Sequence, residues 1–296
     1  MNKRLILSTL ILGTAACIDS DPEGIAPAQP AKTTIEMDFY NRPLPSIPLP
    51  NDIATRYDPD SATGLRINAS MIAPTKIERE VRELFDQVDG WSVFGQITIP
   101  FTGPIDVQSV VDGHRELNYA LDNDVVYLVN VDRKSKNFGK VHHLDLGNGN
   151  YPVLLERGEY WKHDPRGWTA SLSFEEADED LNGDGKLNEG EDTDADGVLD
   201  KPNYYPGMNP SRDDLAGRAD ALMTFYEAET NTLIARPLEP LDERTQYAVV
   251  VTRRIKDLDG EPVGSPFPWV NDSSQTKALL PLFEVMPPGL TKEDIA

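Results

Sequence analysis

Cysteine is almost missing from this chain: there is one in 296 residues. That scarcity excludes a disulfide framework and any cysteine-based zinc or iron–sulfur site. Cationic side chains are also short, with 28 Lys and Arg against 50 Asp and Glu, a net charge of −22. Phosphate contacts need clustered Lys and Arg, so nucleic acid is excluded as a partner. Catalytic signatures are missing too. There is no G-x-S-x-G elbow, no H-E-x-x-H, no phosphate loop and no G-x-G-x-x-G, and nothing forms a Ser/His/Asp triad. Of the four histidines, His142 and His143 lie between strand signals, where neighbouring side chains point to opposite faces, so they read as surface or edge residues. The aromatic turn Tyr160 to Asp164, with Trp168 nearby, reads as packing beside the acidic stretch that follows it.

Hydrophobic residues still make up 39% of the chain, and strand-like runs are present, so wholesale disorder is excluded. The length suits one large domain or two ordinary ones. The first 17 residues, MNKRLILSTLILGTAAC, combine Lys3 and Arg4, a short apolar run from Leu5 to Leu12, and the small residues Gly13 to Ala16. The apolar run is too short to span a bilayer, and the pattern is that of a secretory signal. The single cysteine, Cys17, follows the small residues, where a bacterial lipoprotein signal is cut and its new terminal cysteine lipidated. The expected attachment is therefore to the membrane through an N-terminal lipid, at the outer membrane or cell surface, since no Asp directly adjoins Cys17. Residues 18–34, rich in Pro, Ala and acids, read as a flexible tether.

The body alternates strand signals with turns. Residues 35–90 read as an extended segment and a helix: Asn41 to Pro50 carries four prolines in ten residues, and Thr75 with Glu78 forms a capping box. Ile77, Val81, Leu84, Phe85 and Val88 then recur at helical spacing, Gly90 closes the helix, and Glu80, Arg82 and Glu83 read as its solvated face. From residue 91 to 296 the expected strands are Gln96 to Phe101, Val125 to Val131, Val153 to Glu156, Ser171 to Phe174 and Thr245 to Ile255. Leu222 to Glu227 and Thr232 to Pro237 read as a hairpin around Ala228 to Asn231. Gln275 to Phe283 reads as a further helix. Many short strands around one short helix, near 75–89, predict a mainly β fold: an antiparallel, Ig-like β-sandwich with one long insert at 175–205, incomplete at its C-terminus.

That insert holds the chemistry. Between Glu175 and Asp200 stand 12 acidic residues and one Lys, so this stretch alone carries half of the net charge. Asp180, Asn182 and Asp184 occupy positions 1, 3 and 5 of a 12-residue loop, with Gly185 at 6, Lys186 at 7, Asn188 at 9 and Glu191 at 12. This is the EF-hand loop spacing, in which alternate side chains of a curled loop converge oxygens on one cation. Lys186 would offer its carbonyl and Glu191 both carboxylate oxygens. A hard ion that takes about 6–8 oxygens near 2.4 Å fits, and the expected cofactor is Ca²⁺. The pattern repeats at once: Asp192, Asp194 and Asp196 stand at 1, 3 and 5, Gly197 at 6, Val198 at 7 and Asp200 at 9. Asn203 falls at 12, so the second loop lacks the bidentate acid and is expected to be weaker or shared.

Back-to-back loops without long flanking helices resemble thrombospondin type-3 repeats. Three further passages resemble the N-terminal region of bacterial surface lipoproteins of the VolA-like outer-membrane lipase family: IPLPNDIAT from Ile47 with TGLRIN from Thr63; VDGWSVFGQITIPFTGPIDVQSV from Val88 with VVYLVNVD from Val125; and TNTLIARPLEPLDERTQYAVVVTRRIKDLDGEPV from Thr230. The last resembles a bacterial Ig-like domain of the S-layer type. The likeness implies a non-catalytic scaffold here, with any serine nucleophile in an α/β-hydrolase domain beyond residue 296. Three functions are thereby expected in order: a calcium-binding, lipid-anchored surface segment; the accessory region of a secreted lipase or esterase; and an adhesin.

Overall fold

A computed structural model of the protein describes residues 23–41, 45–114, 120–146, 178–193, 197–211, 213–214, 217–218 and 221–296. The expected strands at Val153 to Glu156 and Ser171 to Phe174, and the aromatic turn at Tyr160, lie outside these residues.

The most apolar run in the middle of the chain dictates the centre of the fold. Val125 to Val131 is too short for a helix bundle and too apolar for a one-faced strand, which suits a strand covered on both sides. It forms β4 (Val126–Asn130), and every one of its five residues is buried. It pairs antiparallel with β5 (Val141–His142) on one edge and β9 (Tyr247–Val251) on the other. Side chains alternate along a strand, so Val126 and Leu128 enter one core while Tyr127 and Val129 enter a second.

The first core is shared with another antiparallel sheet. Its axis is β8 (Thr232–Pro237), which pairs with β3 (Ile97–Pro100) along one edge. Along the other edge run β7 (Tyr226–Glu227) and β6 (Leu144–Asp145). Ile97, Ile99, Leu233 and Ala235 of this sheet meet Val126, Leu128 and Val251 of the other. The β7–β8 hairpin has the predicted position, with Asn231 at φ 52 closing it. The second core packs Tyr127, Val129, Ala248 and Val250 against Leu282, Leu290 and Ile295 of the C-terminal segment. That segment includes the short helix Thr276–Leu279 between 3₁₀ turns, where the sequence predicts a helix. The fold is thus mainly β, with three antiparallel sheets and few helices.

A helix absent from the sequence reading, α2 (Val107–His114), covers one end of the first core. The Asp106 carboxylate accepts the Gln108 amide at 3.0 Å and starts it. Gly113 lets it sit close to the sheet, because a Cβ there would lie 2.7 Å from a Val125 methyl.

The tether reading is corrected from Glu23 onward. The Ile25 amide donates to Asn271 at 2.8 Å, the Ala28 amide to the Pro268 carbonyl at 2.9 Å, and Thr34 bridges Gly264. Proline and alanine do not prevent docking where each remaining amide finds an acceptor. Thr33 also donates to Asp257 at 3.3 Å. Asp257 heads the expected turn at Gly260 (φ 81) and accepts the amides of Asp259 and Glu261, both at 3.0 Å.

The largest departure concerns α1 (Lys76–Phe85). The Thr75 hydroxyl accepts the Glu78 amide at 3.1 Å, as a cap should. The helix is then exposed nearly all round: Glu80 and Glu83 face solvent as expected, but so do the apolar residues, and Arg82 alone is buried. Arg82, assigned to the solvated face, is 7% exposed, while Ile77 is 74% and Leu84 66% exposed. The cause lies in the segment before the helix, which leaves two carbonyls in need of donors. The Arg82 guanidinium supplies them, at 3.0 Å to Ser70 and 2.6 Å to Ile72, and pairs with Glu78. Glu78 is thereby spent on Arg82 and does not complete the capping box. The helix stops at Phe85, short of Gly90, and beyond it the Val88 carbonyl accepts the amide of Ile67 of β2 (Leu65–Ile67) at 3.0 Å. β2 pairs with β1 (Thr55–Tyr57) to complete a small two-stranded sheet beside the helix.

Two outcomes follow from this packing. Ile99→Ala, at a fully buried site, should lower the unfolding free energy by about 2–5 kcal/mol in urea titrations, whereas Leu84→Ala should change it by less than roughly 0.5 kcal/mol. Burial opposes ionisation of Asp257, yet the Glu261 and Asp259 amides, Thr33 and Lys32 hold its pKa below the usual carboxylate value. A lowered folded pKa stabilises above the unfolded value and is lost as pH falls through the folded one. Asp257→Asn should therefore destabilise at pH 7, and the difference from wild type should close below about pH 4.

Candidate metal centre

In sequence the acidic insert lies between β6 and β7. Among the described residues it begins at Asp178 and has two loops. In the first, Gly185 adopts φ 72, the left-handed region that position 6 of such a loop requires. That turn brings its amide to Asp180 Oδ2 at 3.0 Å. Asn182 Oδ1 accepts the Asp184 amide at 2.8 Å, and Asp184 Oδ1 accepts the Lys186 amide at 2.9 Å. These are the short side-chain-to-backbone bonds that Asp and Asn favour in turns. They curl the loop back on itself between positions 1 and 7.

Glu191 closes the loop from the far end. It is buried, with Oε1 accepting the Asn182 amide at 3.2 Å and Oε2 the Asn188 amide at 2.9 Å. Asn188 turns its NH₂ onto Asp184 Oδ1 and Oδ2, both at 3.2 Å, and the Lys186 carbonyl at 3.1 Å. A donor with positive partial charge thus stands among three of the oxygens assigned to the cation. Lys201 Nζ lies 3.3 Å from Asp180 Oδ2. Burial works against ionisation of Asp180, but the Gly185 amide and Lys201 outweigh it and its pKa falls below the usual value.

The second loop repeats the turn. Gly197, at φ 81, donates its amide to Asp192 Oδ2 at 3.2 Å, the same bond between positions 6 and 1. Asp194 and Asp196 lie outside the described residues. Val198 and Asp200 follow the turn, and Asn203 is recruited elsewhere. Its NH₂ donates to the Met223 and Tyr226 carbonyls at 2.7 and 2.6 Å, and its Oδ1 accepts the Ala228 amide at 3.1 Å. Position 12 of the second loop is therefore the fastening of the insert to β7.

One residue escaped the sequence reading altogether. Glu179, immediately before position 1, is 0% exposed. Its carboxylate accepts the amide of Thr193, the Thr193 hydroxyl at 2.8 Å, and the Asp200 amide at 3.2 Å. The Glu179 amide in turn donates to the Asp200 carbonyl at 3.0 Å. Thr193 belongs to the second loop and Asp200 ends the described turn, so Glu179 ties the start of the first loop to the second. It falls outside the 12-residue register, and one acid among many neighbours carries no distinguishing signal.

Among the described residues, no three His, Cys, Asp or Glu side chains already converge as a metal shell. The donor set nevertheless fits a hard cation. It consists of oxygens, and Asp180 Oδ1 and Asp192 Oδ1, position 1 of each loop, are buried without a hydrogen-bond partner. An anionic oxygen held from water without a donor is costly, and a cation is its complement. His142 lies away from this centre, buried edge-on to Tyr247 with ring centroids 5.4 Å apart. Cys17 lies outside the described residues, among which no helix is long and apolar enough to cross a membrane. Comparison with protein families, with curated proteins and with solved structures gives no match to this chain.

Glu179→Gln keeps the shape of the side chain and removes the charge that three donors share. Hydrogen bonds to charged groups are worth about 1.5–3 kcal/mol. The variant should loosen the insert selectively, seen as faster amide exchange at Thr193 and Asp200 with little change at β4.

Proposed function

We propose that this chain is the scaffold portion of a lipid-anchored surface protein whose long insert is set by calcium. The observation that carries the reading is the pair of buried, unpartnered position-1 oxygens, Asp180 Oδ1 and Asp192 Oδ1, each on a loop turned by a left-handed glycine. Asp180, Asn182, Asp184, the Lys186 carbonyl, Asn188 and Glu191 would hold the first ion. Asp192, Asp194, Asp196, the Val198 carbonyl and Asp200 would hold the second, which has no bidentate acid at position 12 to close it. The ion supplies positive charge that cancels carboxylate repulsion. The residues themselves do the rest: the glycines set the turn, Glu191 closes it, and Glu179 fixes one loop to the other.

The two larger sheets with their shared core support an Ig-like sandwich as the scaffold. Cys17 after a short apolar run supports lipid attachment and export. In this reading the body is non-catalytic, and the insert acts mechanically as a stiffened projection between β6 and β7.

Calcium titration of the full chain tests the reading. Loops of this extracellular kind bind at ~10⁻⁴–10⁻³ M. At a concentration 100 times Kd, binding to the folded state alone adds about 2.7 kcal/mol. The melting temperature should rise with calcium, and proteolysis within 178–200 should slow. Asp180→Asn with Glu191→Gln should remove the first loop's share of both effects, and adding Asp192→Asn with Asp194→Asn should remove the rest. Calcium that leaves melting and proteolysis unchanged in the wild-type chain would sink the proposal.

A further inference from the structure

The exposed apolar face of α1 carries the next step. Its outward face presents Ile77, Val81, Leu84 and Phe85, and Val88 continues it past the helix end. Phe85 meets Trp91 edge-on, with centroids 6.2 Å apart, so the patch ends in an aromatic pair. The cause of this orientation is built in, since Arg82 is held inward by two backbone carbonyls. The charged residues that flank the face cancel one another. Lys76 pairs with Glu80 at 3.5 Å, Arg79 with Glu83 at 3.7 Å, and Arg82 with Glu78. A chain of net charge −22 thus contains a charge-neutral helix with one exposed apolar face.

We infer that this face of α1 lies in the lipid interface of the membrane to which Cys17 is attached. The inference rests on the lipid-anchor reading of the N-terminus. Three observations select lipid as the occupant. First, the anchor is close along the chain: Cys17 precedes Glu23 by six residues, at most about 20 Å when extended. The Glu23 carbonyl accepts Thr276 at 2.8 Å, and the adjacent Gln275 donates to Asn51 at 2.9 Å, at the start of the segment bearing β1, β2 and α1. Second, a self-complementary dimer is disfavoured. A ten-residue helix is about 15 Å long and about 10 Å wide, so its face presents on the order of 150 Å² in projection, well short of the ~800 Å² per partner that a stable interface needs. Third, an interfacial helix needs an apolar face and amphipathic flanks rather than a shaped partner, and aromatic residues favour that depth.

The test uses the full lipidated chain in phosphatidylethanolamine and phosphatidylglycerol vesicles containing a phospholipid with a nitroxide in its acyl chain. Once Cys17 is acylated it has no free thiol, so Leu84→Cys or Arg79→Cys provides one site for a fluorophore. The expected result is quenching at 84 at least roughly twofold stronger than at 79, with a blue-shifted emission at 84. Mass spectrometry of the N-terminal residue reads the anchor separately. An acylated Cys17 with equal quenching at 84 and 79 overturns the inference and leaves the anchor intact. An unacylated Cys17 overturns both. Cross-linking between chains through position 84 without quenching assigns the face to a second copy and also overturns the inference.

Discussion

Burial of β4 on both faces is the constraint on which the rest of the structure depends. A strand with one wet face needs one partner layer; Val126 to Asn130 needs two. One is the β3–β8 sheet, and the other is the C-terminal segment carrying Leu282, Leu290 and Ile295. Everything distant in sequence is drawn to this strand: β9 from residue 247, the docked stretch from Glu23, and the last residue, whose amide donates to the Val251 carbonyl at 2.9 Å. The acidic insert is then placed by default. In sequence it falls between β6 and β7, which lie along one edge of β8.

What the sequence disclosed and what it withheld separate along a physical line. Periodicity and turn chemistry are local, so β3, β4, the β7–β8 hairpin, β9 and the Thr75 cap could be read directly. The loop glycines Gly185 and Gly197 were equally legible, because only a left-handed turn explains glycine at that phase. The orientation of α1 was not. Its spacing of Ile77, Val81, Leu84 and Phe85 is that of a buried face, and the deciding fact, two carbonyls at Ser70 and Ile72 waiting for a guanidinium, exists only in three dimensions. The helix α2 went unread because Val107, Val110 and Val111 are β-branched and suggest strand, while Asp106 supplies the cap that tips the balance.

The candidate centre divides in the same way. Ligand spacing is written in the chain, but the assignment of each residue to ion or to scaffold is not. Asn203 keeps the register of position 12 and serves the body, whereas Glu179 is out of register and serves the loops. Both are polar side chains fully committed to backbone partners, and neither can be distinguished by type from the acids and amides around it. Commitment is a matter of which amides lie within 3 Å, and that is fixed by the strands on either side.

The bonds between Glu179 and Asp200 have a consequence for how such a chain can change over evolutionary time. They close the insert at its base, so the 20 residues between them form a loop whose two ends stay together whatever lies inside. Units of 12 could be gained or lost there without moving β6 or β7, because the body senses only the clamp. The insert is in that sense a cassette, and its length is free to vary while the strands beneath it stay as they are.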